Sequence, residues 1–204
     1  MRYARWPGSV MLLLLWVGQA LGGAATVLTE AQYQALNTYI TATAVNEFAA
    51  DVAAGNDPAI AQALNQPFTP TFQVFRTSVP RRTLLFEKSP ADTSFIFVGD
   101  GYITRTQQEL LTFHDLFDGP NSAMDPSLPN VQQALLDIFS GAAGTNAQKN
   151  RVHIGNMSRR PVTRAEKLYV TQGTGSNADP GYLVWEGLLT PRDIAHCLRG
   201  APLQ

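Results

Sequence analysis

Apolar residues in this chain recur mostly every three or four positions and alternate in only a few short runs. Tyr33, Leu36, Ile40, Ala44, Phe48 and Val52 keep helical spacing, so one amphipathic helix is expected from about Glu30 to Ala54, with Gly55 as its stop. Thr29-Glu30-Ala31-Gln32 opens it as a capping box, a hydroxyl cap with an amide side chain three residues later, and Leu28 with Tyr33 supplies a hydrophobic staple. Asp57-Pro58 sets a cap before a proline at the first helical position and predicts a short second helix to about Asn65.

Phe72 to Thr77 alternates with aromatic and β-branched residues and reads as a strand that Pro80 ends. Leu84 to Phe86 and Ser94 to Val98 are short apolar runs expected to be extended or strand-like, and Gly99-Asp100-Gly101 is a turn. Thr104-Arg105-Thr106-Gln107 predicts a second capping box, before a helix carrying Leu110, Leu111, Phe113, Leu116 and Phe117 and stopped by Gly119-Pro120. Asn130 is expected to cap a helix from Val131 to Phe139, with Gly141 as the stop. Thr145-Asn146-Ala147-Gln148 is a third expected capping box, opening a helix that ends near Gly155 or Met157. Thr163-Arg164-Ala165-Glu166 opens a short one to about Val170, and Thr190-Pro191-Arg192-Asp193 caps the last, to about Leu198. Gly173-Thr174-Gly175 reads as a flexible turn and Tyr182 to Glu186 as a strand. There is no internal repeat. The expectation is a helix-dominated α+β fold, with several short amphipathic helices and two or three short strands, too scattered for a doubly wound sheet.

Residues 1–25 have the form of a secretory leader: Arg2 and Arg5, then the apolar run Val10 to Val17, then small residues around Ala20 to Ala25. The run is too short to span a bilayer comfortably. Two readings stay open. A true signal peptide implies a periplasmic or secreted protein, with membrane contact only through a retained leader. A start assigned too early makes the leader an artefact, because the globular pattern begins at Leu28. Residues 26–204 are expected to form a single globular domain.

Four blocks resemble a family of small uncharacterised bacteriophage and prophage proteins. They are Ile60-Ala61-Gln62-Ala63-Leu64-Asn65 with Pro67 and Phe75-Arg76-Thr77-Ser78-Val79; Asp125-Pro126-Ser127-Leu128-Pro129-Asn130-Val131 with Asp137 to Gly141; Arg160-Pro161-Val162-Thr163-Arg164-Ala165-Glu166-Lys167-Leu168 with Gly173-Thr174-Gly175; and Trp185-Glu186-Gly187-Leu188-Leu189 with Asp193. Members of that family begin near Leu28, without the apolar leader. The resemblance implies a structural or interaction protein, virion-associated or assembly-related, located in the virion or the host cytoplasm. It brings no catalytic residues.

Charge narrows the chemistry. The net charge is −1 and charged residues are 15% of the 204, so nucleic acid is not an expected partner. The three histidines, His114, His153 and His196, are not gathered with carboxylates or thiolates in any metal-ligand spacing, and Cys197 is a lone cysteine expected to fill space on a helix. The histidines read as surface or partly buried, and Trp185 as core. No catalytic site, metal or cofactor is expected, and the protein reads as a non-enzyme; the alternative that the leader supports is an exported binding module or small hydrolase. The charge is segregated: residues 26–140 hold twelve acids and five bases, and the remainder four acids and eight bases. Arg151, His153, Arg159, Arg160, Arg164 and Lys167 lie close together in the basic part. Two readings of this cluster stay open. Arg159, Arg160, Arg164 and Lys167 form a patch that meets an acidic neighbouring protein subunit, another copy of the chain included, or nucleic acid. Otherwise Arg160 or Arg164 pairs internally with Glu166 or an N-terminal acid.

Overall fold

The computed structural model describes residues 26–43, 47–118 and 122–203, so the leader lies outside the described residues. The first helix, α1, spans Glu30–Thr43, and its capping box is present: Thr29 N–H donates to Gln32 Oε1 at 2.8 Å and Gln32 N–H to Thr29 Oγ1 at 3.3 Å. The single long helix expected to Ala54 is divided. A turn at Glu47 and Phe48 precedes α2, Ala49–Ala54, and Phe48 is fully buried there while Glu47 reaches a distant arginine. Tertiary burial of one ring thus overrides the local helical period.

Helix α3, Asp57–Leu64, starts one residue earlier than expected. Asp57 lies in the first turn instead of capping it, and its carboxylate accepts from Arg199. Strand β1 is Gln73–Phe75 and β2 is Val79–Pro80; the run at Leu84 is helical, in α4, Arg81–Phe86. Ser94 to Val98, expected to be extended or strand-like, forms no strand. The side chain of buried Asn150 serves its backbone instead, accepting from Ile96 N–H at 2.7 Å and donating to Ile96 O at 2.9 Å and Gly101 O at 2.8 Å. A 3-10 turn at Gly99–Gly101 leads to α5, Gln107–Asp115. Its capping box uses Thr106 and Glu109, two residues beyond the expected Thr104 and Gln107, because Glu109 can close both arms on Thr106.

Strand β3 is Ala123–Met124, and α6 is Pro129–Ile138 with Leu128 before it, so Asn130 is inside the helix and does not cap it. Pro129, with its preset φ, starts the helix instead. Helix α7, Asn146–Met157, is capped by Thr145. Strand β4, Arg159–Pro161, runs into α8, Arg164–Lys167, which stops before Val170 because Val170–Gln172 forms β5. The last elements are β6, Tyr182–Leu183, shorter than the expected strand, and α9, Pro191–Arg199.

The strands pair two by two and antiparallel: β1 with β4 (Val74 opposite Arg160), β2 with β3 (Val79 opposite Met124), and β5 with β6. The fold is α+β and helix-dominated. Its apolar residues form two clusters. One gathers Leu36, Ile40, Phe48, Ile60, Leu64, Tyr169, Trp185 and Ile194 from α1, α3, α9 and the segments around α8. The other gathers Leu84, Phe95, Phe113, Leu135, Phe139 and Ile154 from α4 to α7. In the second, Phe113 and Phe139 meet edge to face at 5.4 Å, and Phe95 meets Phe139 at 5.8 Å, a geometry that adds about 1 kcal/mol per pair beyond burial. Strand β4 links the clusters, since it follows α7 of one directly and leads into α8 of the other.

His153 departs from its expected exposure. It is fully buried in the second cluster, where Nε2 lies 2.8 Å from Leu84 O and Nδ1 lies 3.1 Å from Thr93 O and 3.2 Å from the Thr93 hydroxyl. Trp185 is core, as expected.

The glycines of Gly173-Thr174-Gly175 serve close approach. Gly175 has φ +75°, and a Cβ there would stand 2.1 Å from the Phe72 ring. Gly55 also has positive φ but open space around it. Gly175→Ala is therefore expected to cost about 2 kcal/mol or more, from overpacking added to the left-handed strain, and Gly55→Ala only about 1 kcal/mol. Urea unfolding of both variants measures the difference.

Candidate interaction site

The four basic residues singled out from sequence have different surroundings. Arg160, on β4, faces a carboxylate pair. Its Nη1 donates to Glu166 Oε2 at 2.8 Å and its Nη2 to Glu166 Oε1 at 2.6 Å; Nη2 also reaches Glu186 Oε1 at 2.8 Å and Nε the same oxygen at 3.1 Å. Glu166 keeps only 3% of its side chain exposed. It closes the α8 capping box by accepting from Thr163 N–H at 3.0 Å, and it accepts from Gly187 N–H at 3.3 Å. The second Glu186 oxygen accepts from the Thr77 hydroxyl. Nearby, the Asn65 amide donates to Leu189 O at 2.8 Å and accepts from Leu189 N–H at 2.9 Å.

These contacts bring three of the four resemblance blocks to one place. Asn65 and Thr77 come from the first block, Arg160, Thr163 and Glu166 from the third, and Glu186, Gly187 and Leu189 from the fourth. Glu166 is nearly dry, the Arg160 and Glu186 side chains keep 18% and 27% exposure, and the guanidinium arms that face the two carboxylates have acceptors of matching geometry, which is the condition under which a largely buried ion pair is tolerable.

Arg164 forms a two-pronged pair with Glu47, both arms at 2.6 Å, and lies 5.5 Å over the Phe48 ring. The Arg164 guanidinium holds the Glu47 carboxyl below its ordinary value. Lys167 stands 4.2 Å over the Phe72 ring, the same ring that the Gly175 backbone touches. Arg159 donates to Asn156 Oδ1 at 2.8 Å and to Asn177 O. Arg160 and Arg164 are thus paired within the chain, whereas Lys167 and Arg159 hold a ring and a loop. Charge segregation along the sequence is resolved inside the fold, since Arg164 pairs Glu47 and Arg199 pairs Asp57, each joining the basic part to the acidic part.

A second surface is apolar and was not singled out from sequence. Phe86 is 74% exposed, Ile103 68% and Val98 61%. Phe86 stacks with Phe97 at 6.0 Å, Phe97 meets Tyr102 edge-on at 5.7 Å, and Ile103 N–H donates to Phe97 O at 3.3 Å. Phe95 is buried in the second cluster, and the Phe97 ring, 5.1 Å from it, lies at the edge of that cluster and remains 37% exposed. The segment is held firmly. Asn150 clamps Ile96, and the Asp100 carboxylate accepts from Asn146 and Ala147 N–H at 3.2 Å, at the start of α7. A continuous apolar run with no polar residue between Phe95 and Val98 was the available sequence signal.

The remaining nucleophile is constrained. The Cys197 thiol is pushed up to about 12 by burial and by Glu30, and Sγ–H points at Tyr33 O at 3.4 Å. Its neighbour His196 donates from Nδ1 to Ala201 O at 2.6 Å, so the two form no dyad. Among the described residues, no group of three or more His, Cys, Asp or Glu is placed to hold a metal ion, and no helix is long and apolar enough to cross a membrane. No protein-family model matches the chain, and no curated protein and no solved structure matches it either.

Burial alone would raise the Glu166 carboxyl, but the hydrogen bonds from Arg160 and Thr163, and the Arg160 charge, outweigh it and hold the group below its ordinary value of 4.5. The stability it contributes is therefore fully present above pH 4.5 and is lost as pH falls through the lower, folded value. Glu166→Gln should cost about 3 kcal/mol at pH 7, because it leaves Arg160 under-compensated, and should flatten the acid limb of a stability-against-pH curve. Denaturant titrations between acidic and neutral pH measure both effects.

Proposed function

We propose that this chain is a non-enzymatic structural or interaction protein of bacteriophage or prophage type, virion-associated or assembly-related. It holds another protein subunit, or a second copy of itself, through the face made by Phe86, Phe97, Val98 and Ile103. That face carries the reading. Large apolar side chains gathered on a soluble surface cost free energy unless a partner covers them, and contiguous patches of this kind mark contact sites. Aromatic rings fixed on a rigid backbone are good anchors, because little rotamer entropy is lost on contact. The virion setting rests on the sequence blocks alone.

The paired arginines enter differently. Arg160 and Arg164 already have carboxylates, so they support the fold that presents the apolar face, and a charge reversal at Arg164 should lower stability by breaking the Glu47 fork.

The test is sedimentation velocity of the purified chain over a concentration series, together with its detection in purified phage particles. Wild-type protein is expected to self-associate or to co-sediment with particles. The double variant Phe86→Ser, Ile103→Ser should weaken that association tenfold or more while melting within about 2 °C of wild type, since both side chains are largely exposed. A monomeric protein absent from particles, or a double variant that associates like wild type, contradicts the proposal.

A further inference from the structure

A cleft of about 280 Å³ opens between α6, α7, the β1–β4 ribbon and the loop at residues 177–180. Its walls are apolar: Phe75, Leu135, Leu136 and Ile154, with Pro126 and Pro180. Five polar side chains break that lining: Gln132, Arg151, Ser158, Arg159 and Asn177. Arg151 makes no hydrogen bond or ion pair among the described residues. Ser158 is 4% exposed, and its Oγ has no hydrogen-bond partner among the described residues. Arg159 also lines the cleft, its guanidinium held in place by Asn156 and Asn177. No Asp or Glu lines the cleft.

We propose that this cleft binds a small aliphatic carboxylic acid, with the carboxylate at Arg151 and Ser158 and the hydrocarbon body on the Leu135–Ile154 wall. An unpaired guanidinium beside an apolar surface calls for an anion on an apolar body, and its planar fork fits a carboxylate. A buried hydroxyl without a partner is costly, and a carboxylate oxygen supplies the missing acceptor. Burial of Arg159 disfavours its charged form, a penalty that a nearby anion relieves. The size sits near the lower end of small-molecule sites, about 300 Å³. A free acid fits better than a peptide C-terminus. The peptide would bring amide groups against a wall that is mostly apolar.

The experiment is an NMR titration of the full chain with octanoate, reading the Ile154 methyl and the Gly155 and Arg159 amides. A saturable shift is expected in wild type. Arg151→Gln, which breaks no internal bond, should weaken it tenfold or more, Ser158→Ala a few-fold, and 1-octanol should bind at least tenfold more weakly than octanoate. Equal affinity for octanol, an unchanged Arg151→Gln, absence of saturation, or tighter binding of acetyl-Ala-Leu than of octanoate overturns the proposal. None of these outcomes depends on whether the Phe86 face associates.

Discussion

The Arg160–Glu166–Glu186 ion pair holds together segments that local sequence would leave apart. Arg160 is on a three-residue strand, Glu166 in a four-residue helix, and Glu186 just beyond a two-residue strand. Elements this short have little stability alone, because nucleation of a helix or an isolated hairpin is unfavourable. Their positions are set by the convergence of charge on Glu166, which accepts from a guanidinium, a capping threonine and the Gly187 amide. The cost of leaving any of these buried groups unpaired is greater than the net gain of forming one bond, so the network acts chiefly by making alternative arrangements expensive.

The same principle recurs away from the network. Asn150 satisfies both backbone groups of Ile96, in a segment that pairs with no strand, and the Gly101 carbonyl, His153 ties α4 to the Thr93 turn, and Asn65 forms a two-bond clamp on Leu189. Irregular backbone can then be packed against core without orphaned polar groups. This arrangement lets Phe95 fill the second cluster while Phe97, at the edge of that cluster, and its exposed neighbours form a fixed apolar face. The two surfaces of interest have different chemistry: one carries exposed apolar side chains, and the other is a cleft whose lining includes the Arg151 guanidinium.

Much of the helical framework was legible in the residues. Capping boxes at Thr29, Thr163 and Thr190 are local devices, complete within four residues, and they appear where the sequence places them. Two of the misplacements have long-range causes. The turn at Glu47 and Phe48 accompanies burial of Phe48 and the Glu47–Arg164 fork across more than a hundred residues of chain. Leu84 to Phe86 has the composition of a strand but coils because Leu84 and Leu85 both enter the second cluster. The basic cluster was visible as a cluster, and internal pairing was one of its two readings. Which arginine met which acid depended on strand β4, a pairing that the Arg-Arg-Pro sequence gives no reason to expect. The exposure of Phe86 and Ile103, and the cleft around Ser158, arise only from tertiary packing and had no signature in the period or composition of the chain.

Native-state hydrogen exchange on the full chain tests the central claim most directly. If the Arg160 network governs the fold, the amides of Thr163, Gly187 and Leu189 should exchange together, with an opening free energy equal to that of global unfolding. Exchange of these amides through local openings well below the global value, with α1 and α7 still protected, would contradict it and make the network a peripheral clasp.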